Sequence, residues 1–170
     1  MPQPPDSPSP RFYGGAASWP PEQSVGYLMR KVMTSIRTQA DAQLAAHDLT
    51  YAQWVPLFKM SRCPSGPSTV AGLARELETD PASMTRALDR MQAKGLVVRE
   101  RSAADRRVVH VALTPEGQRV AAQVPAVLGE VLDRHLSDFS HDEWQQLLGL
   151  LRRMLANGEA QRQQTCPPNP

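Results

Sequence analysis

The apolar positions of this chain repeat with a helical period over most of its length. Val25, Leu28, Met29, Val32, Met33 and Ile36 recur three and four residues apart, and Ala40, Leu44 and Ala45 continue the stripe with smaller side chains. This predicts a first helix from about Ser24 to His47. A second is predicted from Thr50, where Thr50 and Gln53 have capping-box spacing. Its apolar residues are Trp54, Leu57, Phe58 and Met60, and Pro56 inside it should bend it or open it locally. The segment Cys63-Pro-Ser-Gly-Pro-Ser68 reads as a loop by composition. A short third helix, Thr69 to Leu77, is expected with Ser68 as its cap. Asp80 then supplies an N-cap and Pro81 the first position of a fourth helix, which ends at Gly95. There the period falls to two. Val97, Arg99 and Arg101 alternate on one strand, Val109, Val111 and Leu113 on another, and Ser102 to Arg106 form the tip of the hairpin. Thr114-Pro115 opens a helix running to about Leu136 with a kink at Pro125. Ser140 and Glu143 box a last helix that carries Trp144, Leu147, Leu148, Leu151, Met154 and Leu155.

A short helix, a tight connection and a capped helix have helix-turn-helix spacing, and the hairpin directly afterwards makes the motif winged. The fold class is therefore mainly α (α+β): a winged helix-turn-helix with a two-stranded wing and a helical dimerisation region. Residues 49–114 form the winged domain, and residues 24–48 and 115–158 the dimerisation region. The first and last helices are long and apolar, more than a small winged domain can cover, so a twin chain is the expected partner. Residues 1–23 form a Pro-rich N-terminal arm and residues 159–170 a mobile C-terminal tail, because the prolines of both ends oppose regular helix. Phe12, Tyr13 and Trp19 are unusual in a linker. They either dock on the body or a partner chain or belong to a disordered arm.

Composition adds limits. The chain has 170 residues, 41% hydrophobic, 21% charged and only 5% aromatic, a balance that favours helices over a β-sandwich. No apolar run approaches the ~20 residues that span a bilayer, so no membrane role is expected. The polar stretch from Met1 to Pro10 lacks the apolar core of a secretory signal. Two cysteines, Cys63 and Cys166, cannot make a disulfide scaffold. A cytoplasmic protein is the default. The net charge of +2 decides little, but its distribution does. Between Arg86 and Arg107 seven basic side chains (Arg86, Arg90, Lys94, Arg99, Arg101, Arg106, Arg107) face three acidic ones (Asp89, Glu100, Asp105), so the rest of the chain is net negative.

In the fourth helix Met84, Ala87, Leu88 and Met91 form a buried face at i, i+3, i+4 and i+7. The other face presents Ser83, Thr85, Arg86, Asp89 and Arg90. Small hydroxyls near a helix N-terminus let its backbone approach a groove. Arg86 can donate two bonds to guanine N7 and O6 or one to a phosphate, and Arg90 lies a turn further, near a flanking phosphate. Double-stranded DNA is the expected partner. A solvated charged helix and hairpin is the blander reading of the same run.

The run STVAGLARELETDPASMTRALDRMQAKGLVVRERSAADRRVVHVALTPEG, Ser68 to Gly117, resembles the core of the MarR-type (multiple antibiotic resistance regulator) transcription factors. The specific pieces are Asp105-Arg106-Arg107 followed by Leu113-Thr114 and Gly117, with Leu49 to Trp54 (LTYAQW) fitting the entry to the family's second helix. The likeness extends over about residues 24 to 156. It implies an obligate homodimer in which the first helix and the last two interlock, with two winged domains across one face of a pseudo-palindromic operator, usually as a repressor. It also implies that Arg107 enters the minor groove while Asp105 holds the wing, and Arg106 is a second candidate for that groove or a phosphate. Ser68, Ser83, Thr85, Arg86 and Arg90 complete the candidate DNA-binding set.

Family members commonly bind small aromatic carboxylates or phenolic acids in a cleft beside the dimer helices. Met29, Met33 and Trp54 are candidates to line such a cleft here, with Arg30 or Arg37 as countercharge. The same methionines and tryptophan equally fit an ordinary core. A redox-responsive variant would use Cys63, beside Arg62, although redox-sensing relatives carry their cysteine near the start of the first helix, where this chain has none. His47, His110, His135 and His141 show no metal-ligand spacing, so neither metal nor cofactor is expected. No phosphate loop, nucleophile elbow or acid–base pair points to an enzyme. A dimeric interaction module without DNA binding is the remaining alternative.

Overall fold

The computed structural model describes residues 12–13, 20–62, 68–102, 105 and 108–165, with side chains as far as 162. The chain divides into two compact units, Met1–Tyr51 and Ala52–Pro170. Among the described residues no helix is long and apolar enough to cross a membrane.

In the first unit the N-terminus of α1 (Val25–Leu44) is capped twice. Ser24 Oγ accepts the Tyr27 N–H, and the Tyr13 hydroxyl accepts the Val25 N–H at 3.0 Å while donating to the Gln23 carbonyl at 3.1 Å. Tyr13 is thus the arm aromatic that docks on the body. Phe12 is exposed, and Trp19 lies outside the described residues. The helix closes through a 3₁₀ turn, Ala45–His47, and Asp48 in the left-handed region, φ 53°. The Asp48 N–H reaches the Ala45 carbonyl and the Leu49 N–H that of Leu44, a Schellman closure. Ala40, Leu44 and Leu49 are buried, whereas Val25, Leu28, Met29, Val32 and Met33 are 41–52% exposed along one stripe.

The second unit takes in α2 (Tyr51–Ser61) from its second residue on, β1 (Ser68–Thr69), α3 (Val70–Glu76), α4 (Pro81–Ala93), β2 (Val97–Arg101), β3 (Val109–Leu113), α5 (Pro115–Ala121), α6 (Val124–His135) and α7 (His141–Thr165). α2 runs through Pro56 as one helix, with Pro56 and Leu57 buried. The sheet has three strands in the order β1-β3-β2, all antiparallel, so the expected two-stranded wing gains a short third strand. Ser68 pairs with Val111 and Thr69 with His110. This also corrects the cap of α3: Thr69 Oγ1 accepts the Gly72 N–H at 3.0 Å, while Ser68 sits one residue upstream in the strand. Two ladder residues are too few for a periodic signal, so β1 was invisible to pattern.

The predicted kink at Pro125 is instead a break. α5 stops at Ala121, Ala122 and Gln123 turn, and α6 restarts with Pro125 in its first turn. Proline has no N–H for the Ala121 carbonyl, and its ring would collide with that carbonyl in a continuous helix. Proline is tolerated in a first turn, so restarting there removes the conflict. The Ser140–Glu143 box forms as expected: Glu143 Oε2 accepts from the Ser140 N–H and hydroxyl, and Ser140 Oγ accepts the Glu143 N–H. α7 then continues to Thr165, past residue 158.

The core beneath the helix-turn-helix is built from Leu57, Leu73, Met84, Leu88, Met91, Val97 and Val111, each no more than 2% exposed. Full burial of one such side chain contributes roughly 1.5–3 kcal/mol, so these residues fix α4 against α3 and β2. The turn between α3 and α4 is a second Schellman closure. Thr79 N–H bonds the Ala74 carbonyl and Glu78 N–H that of Arg75, with Glu78 at φ 47°. A third ends α4, where Gly95 at φ 70° turns the chain into β2.

Candidate nucleic-acid interface

The start of α4 is tightly specified. Asp80 Oδ2 accepts the Ser83 N–H at 2.8 Å, and Pro81 occupies the first turn. That hydrogen bond from the Ser83 backbone holds the Asp80 carboxyl below its ordinary value. Met84, Ala87, Leu88 and Met91 are all 2% exposed or less, which turns Thr85, Arg86, Asp89 and Arg90 outward, with Ser83 half-exposed. The Thr85 hydroxyl donates to the Pro81 carbonyl at 2.9 Å and keeps its lone pairs outward. Arg86 Nη2 donates to Ser83 Oγ at 2.8 Å, so the guanidinium lies along the helix toward its N-terminus. Of the expected DNA-facing residues, α4 therefore carries Ser83, Thr85, Arg86 and Arg90 on one continuous surface. Ser68 is elsewhere, half-buried in β1.

The wing pairs in a single register, Val97 with Leu113 through Arg101 with Val109. Its far end is closed by Ser102 N–H to the Val108 carbonyl and Val108 N–H to the Asp105 carbonyl, both 2.9 Å, and by Asp105 N–H to Ser102 Oγ. Asp105 is exposed in that closure. Arg106 and Arg107 lie outside the described residues, as does Cys63.

Two of the basic residues counted from sequence face inward. Arg99, on β2, donates from Nε to Gln92 Oε1 at 2.7 Å and from Nη2 to Asp89 Oδ1, both acceptors on α4; its side chain is only 19% exposed. Lys94 Nζ donates to the buried Gln53 side-chain oxygen at 3.3 Å. Alternation places Arg99 on the wing but gives no partner for it, because a contact from a strand back to the preceding helix follows the period of neither element.

The base of the wing is seated on backbone. Thr114 Oγ1 donates to the Gly95 carbonyl at 2.6 Å and accepts the Gly117 N–H at 2.9 Å, while Thr114 N–H reaches the Leu96 carbonyl at 3.1 Å. A β-carbon on Gly117 would lie 1.9 Å from the Leu96 carbonyl oxygen. Leu113-Thr114…Gly117 is thus a device that presses α5 onto the α4–β2 turn.

The candidate effector residues are divided between the units. In the first, Met29 and Met33 are exposed, Arg30 stacks over Tyr27, and Arg37 stacks over Tyr51 at 4.7 Å with Asp41 at 3.9 Å. In the second, Trp54 is buried. An open cleft of about 610 Å³ in the second unit is lined by Met60, Ser68, Val111, Gln118 and Pro125 among others, and by none of the five candidates. Among the described residues no three His, Cys, Asp or Glu side chains are grouped to hold a metal.

A three-strand winged helix-turn-helix with a polar, arginine-bearing outer face on its second helix defines a winged-helix module of the nucleic-acid-binding class. A MarR-family model matches residues 47–108. The chain is 30% identical to a cysteine-to-serine variant of E. coli MarR solved in complex with operator DNA, covering 76% of this chain and 92% of that one at a TM-score of 0.68. The reduced form of E. coli MarR is 28% identical, with 78% and 96% coverage and a TM-score of 0.70. S. aureus MepR, solved bound to DNA, shares the fold at 23% identity, 79% and 98% coverage and a TM-score of 0.72. The chain belongs to the MarR family.

Proposed function

We propose that this protein is a DNA-binding transcriptional repressor of the cytoplasm. As a homodimer it binds a pseudo-palindromic operator, and a small aromatic carboxylate or phenolic acid releases it. The observation that carries the DNA reading is the outer face of α4, where Ser83, Thr85, Arg86 and Arg90 stand over a fully buried apolar face beside a braced hairpin. Arg86 reads base edges in the major groove, and Arg107, with Arg106 beside it, serves the minor groove.

The dimer reading is supported by unburied apolar surface in each unit: the α1 stripe, and Leu150, Leu151, Met154 and Leu155 on α7, 38–58% exposed. A second copy would remove this surface from water at about 25 cal/mol per Å², and C₂ symmetry would set the two α4 helices about one DNA turn apart. For the effector, Arg30 is the better countercharge, since Arg37 already faces a carboxylate, Asp41, whereas Arg30 lies over the neutral Tyr27 ring. Met29 and Met33 supply adaptable apolar contact.

The test is fluorescence anisotropy with the DNA upstream of the protein's own gene, between about 50 and 200 mM salt. A repressor with several phosphate contacts loses affinity steeply, on a straight log–log line. Benzoate and 4-hydroxybenzoate are then titrated into the complex and should release the DNA. A flat salt response would instead identify a dimeric interaction module, and DNA binding that neither acid disturbs would refute the effector assignment.

A further inference from the structure

We propose that Arg99 is a positioning residue for DNA recognition: it staples the wing to the recognition helix and neutralises a carboxylate that α4 would otherwise turn toward the phosphates. The inference deepens the DNA-binding reading and rests on it. Asp89 lies on the exposed face of α4, three residues after Arg86 and next to Arg90. An unshielded carboxylate there repels the polyanion that these two arginines are placed to hold. Arg99 comes from the middle of β2, where its backbone pairs with Val111, and its guanidinium spans two residues one turn apart on α4, Asp89 and Gln92. The planar fork donates to both in fixed directions, whereas an ammonium on a flexible stem is a point charge that does not hold the two acceptors in one geometry.

The staple has a mechanical consequence. Ser102, where the wing closes, is three residues beyond Arg99, about 10 Å along the extended strand. A tilt of ~10° at the base would therefore displace that end by about 2 Å, enough to misalign the hydrogen bonds of the wing with a groove while its charge stays beside the DNA. Val97 is buried at the root of β2, but Val98 and Glu100 are exposed, so Arg99 is the side chain on that strand that fixes its angle to α4. The charge of Arg99 is thereby directed at Asp89 and not at a phosphate.

The experiment compares the wild-type chain with Arg99→Ala, Arg99→Lys and the double variant Asp89→Asn/Arg99→Ala. The probes are a labelled fragment from upstream of the protein's own gene and a labelled 30-base-pair duplex of random sequence. Arg99→Ala should weaken binding to the upstream fragment about tenfold and leave the log–log salt slope unchanged, whereas losing a phosphate contact lowers the slope by about 0.9. Asp89→Asn/Arg99→Ala should regain part of the loss, because the exposed carboxylate has gone. Arg99→Lys should restore binding to the random duplex but not the preference for the upstream fragment, since it shields Asp89 without holding Gln92. Circular dichroism establishes that each variant is folded; should Arg99→Ala not fold, the lysine and double variants carry the test. A slope that falls by about one, a double variant no better than the single, or an Arg99→Lys protein with full preference overturns the proposal. A wild-type chain that binds neither duplex overturns the DNA-binding reading itself, and the staple's role with it.

Discussion

Replacing Gly117 with alanine sets two effects against each other. Gly117 is the third residue of α5, where alanine is intrinsically favoured over glycine by about 1 kcal/mol. Its β-carbon, however, would stand 1.9 Å from the Leu96 carbonyl oxygen and 2.9 Å from the Leu96 carbonyl carbon, both backbone. Ordinary contact begins near 3.4 Å, so α5 and the α4–β2 turn must separate by about 1.5 Å. Overpacking of this kind costs about 1–3 kcal/mol. The same movement stretches the Thr114 N–H bond to Leu96, and losing a hydrogen bond costs about 1 kcal/mol more. After the helix preference is subtracted, Gly117→Ala should destabilise by about 1–3 kcal/mol, a large part of the 5–15 kcal/mol typical of a domain. Urea unfolding at fixed protein concentration measures it as a lower midpoint with an unchanged slope. Gly158→Ala is the control: nothing lies within 4 Å of its added β-carbon, and it should be neutral or stabilising. If Gly117→Ala were as stable as the wild type, the seat between α5 and Leu96 would not be the tight contact inferred from the backbone.

Thr69→Ala should cost about 1 kcal/mol of unfolding free energy, the usual value of an N-cap, and Ser68→Ala markedly less, because only Thr69 bonds the Gly72 N–H. Asp80, Glu76, Glu116 and Glu143 are all held below their ordinary values, Asp80 and Glu143 chiefly by backbone N–H groups, Glu76 by Lys59 and Glu116 by Arg119. Their contribution is complete above the unfolded-state values near pH 4 and is lost as pH falls through the lower folded values. The melting temperature should therefore drop on acidification below about pH 4.5, and less steeply in an Asp80→Asn/Glu143→Gln variant. Arg86→Ala should reduce the preference for the upstream fragment over random duplex by about 1–3 kcal/mol, whereas Arg107→Ala should weaken operator binding by a similar amount with the dimer intact; equal loss on all sequences would make Arg86 a phosphate contact. Met33→Asp, on the exposed α1 stripe, should shift sedimentation toward a single chain.

Much of the fold was legible because its boundaries are chemical. Asp80-Pro81, Gly95, Thr114-Pro115 and Ser140-Glu143 each mark a terminus with a side chain whose hydrogen bond or backbone preference belongs to that position, and all four marks coincide with termini. The misreadings arise where the physics is non-local or leaves no periodic trace. β1 exists because the edge of β3 offers backbone partners to Ser68 and Thr69, and a two-residue strand has no alternation to detect. The α3–α4 turn carries no glycine; Glu78 takes the left-handed position that Gly95 occupies after α4, against the steric preference of an L side chain. Pro125 announced a disturbance, but composition could not distinguish a kink from a break three residues upstream.

The candidate site was legible face by face, though not contact by contact. The period of Met84, Ala87, Leu88 and Met91 was enough to turn Arg86 and Arg90 outward, since a helix with one buried face has only one other to present. Counting charge was less faithful, because it treats every arginine of the region as available to a phosphate. Arg99 is committed to Asp89 and Gln92, and Lys94 to Gln53, so part of the apparent surplus braces α4 against β2 and α2 instead of facing outward. This division has a thermodynamic signature: the salt slope should follow the outward arginines alone, and removing an inward one should weaken binding without flattening the slope.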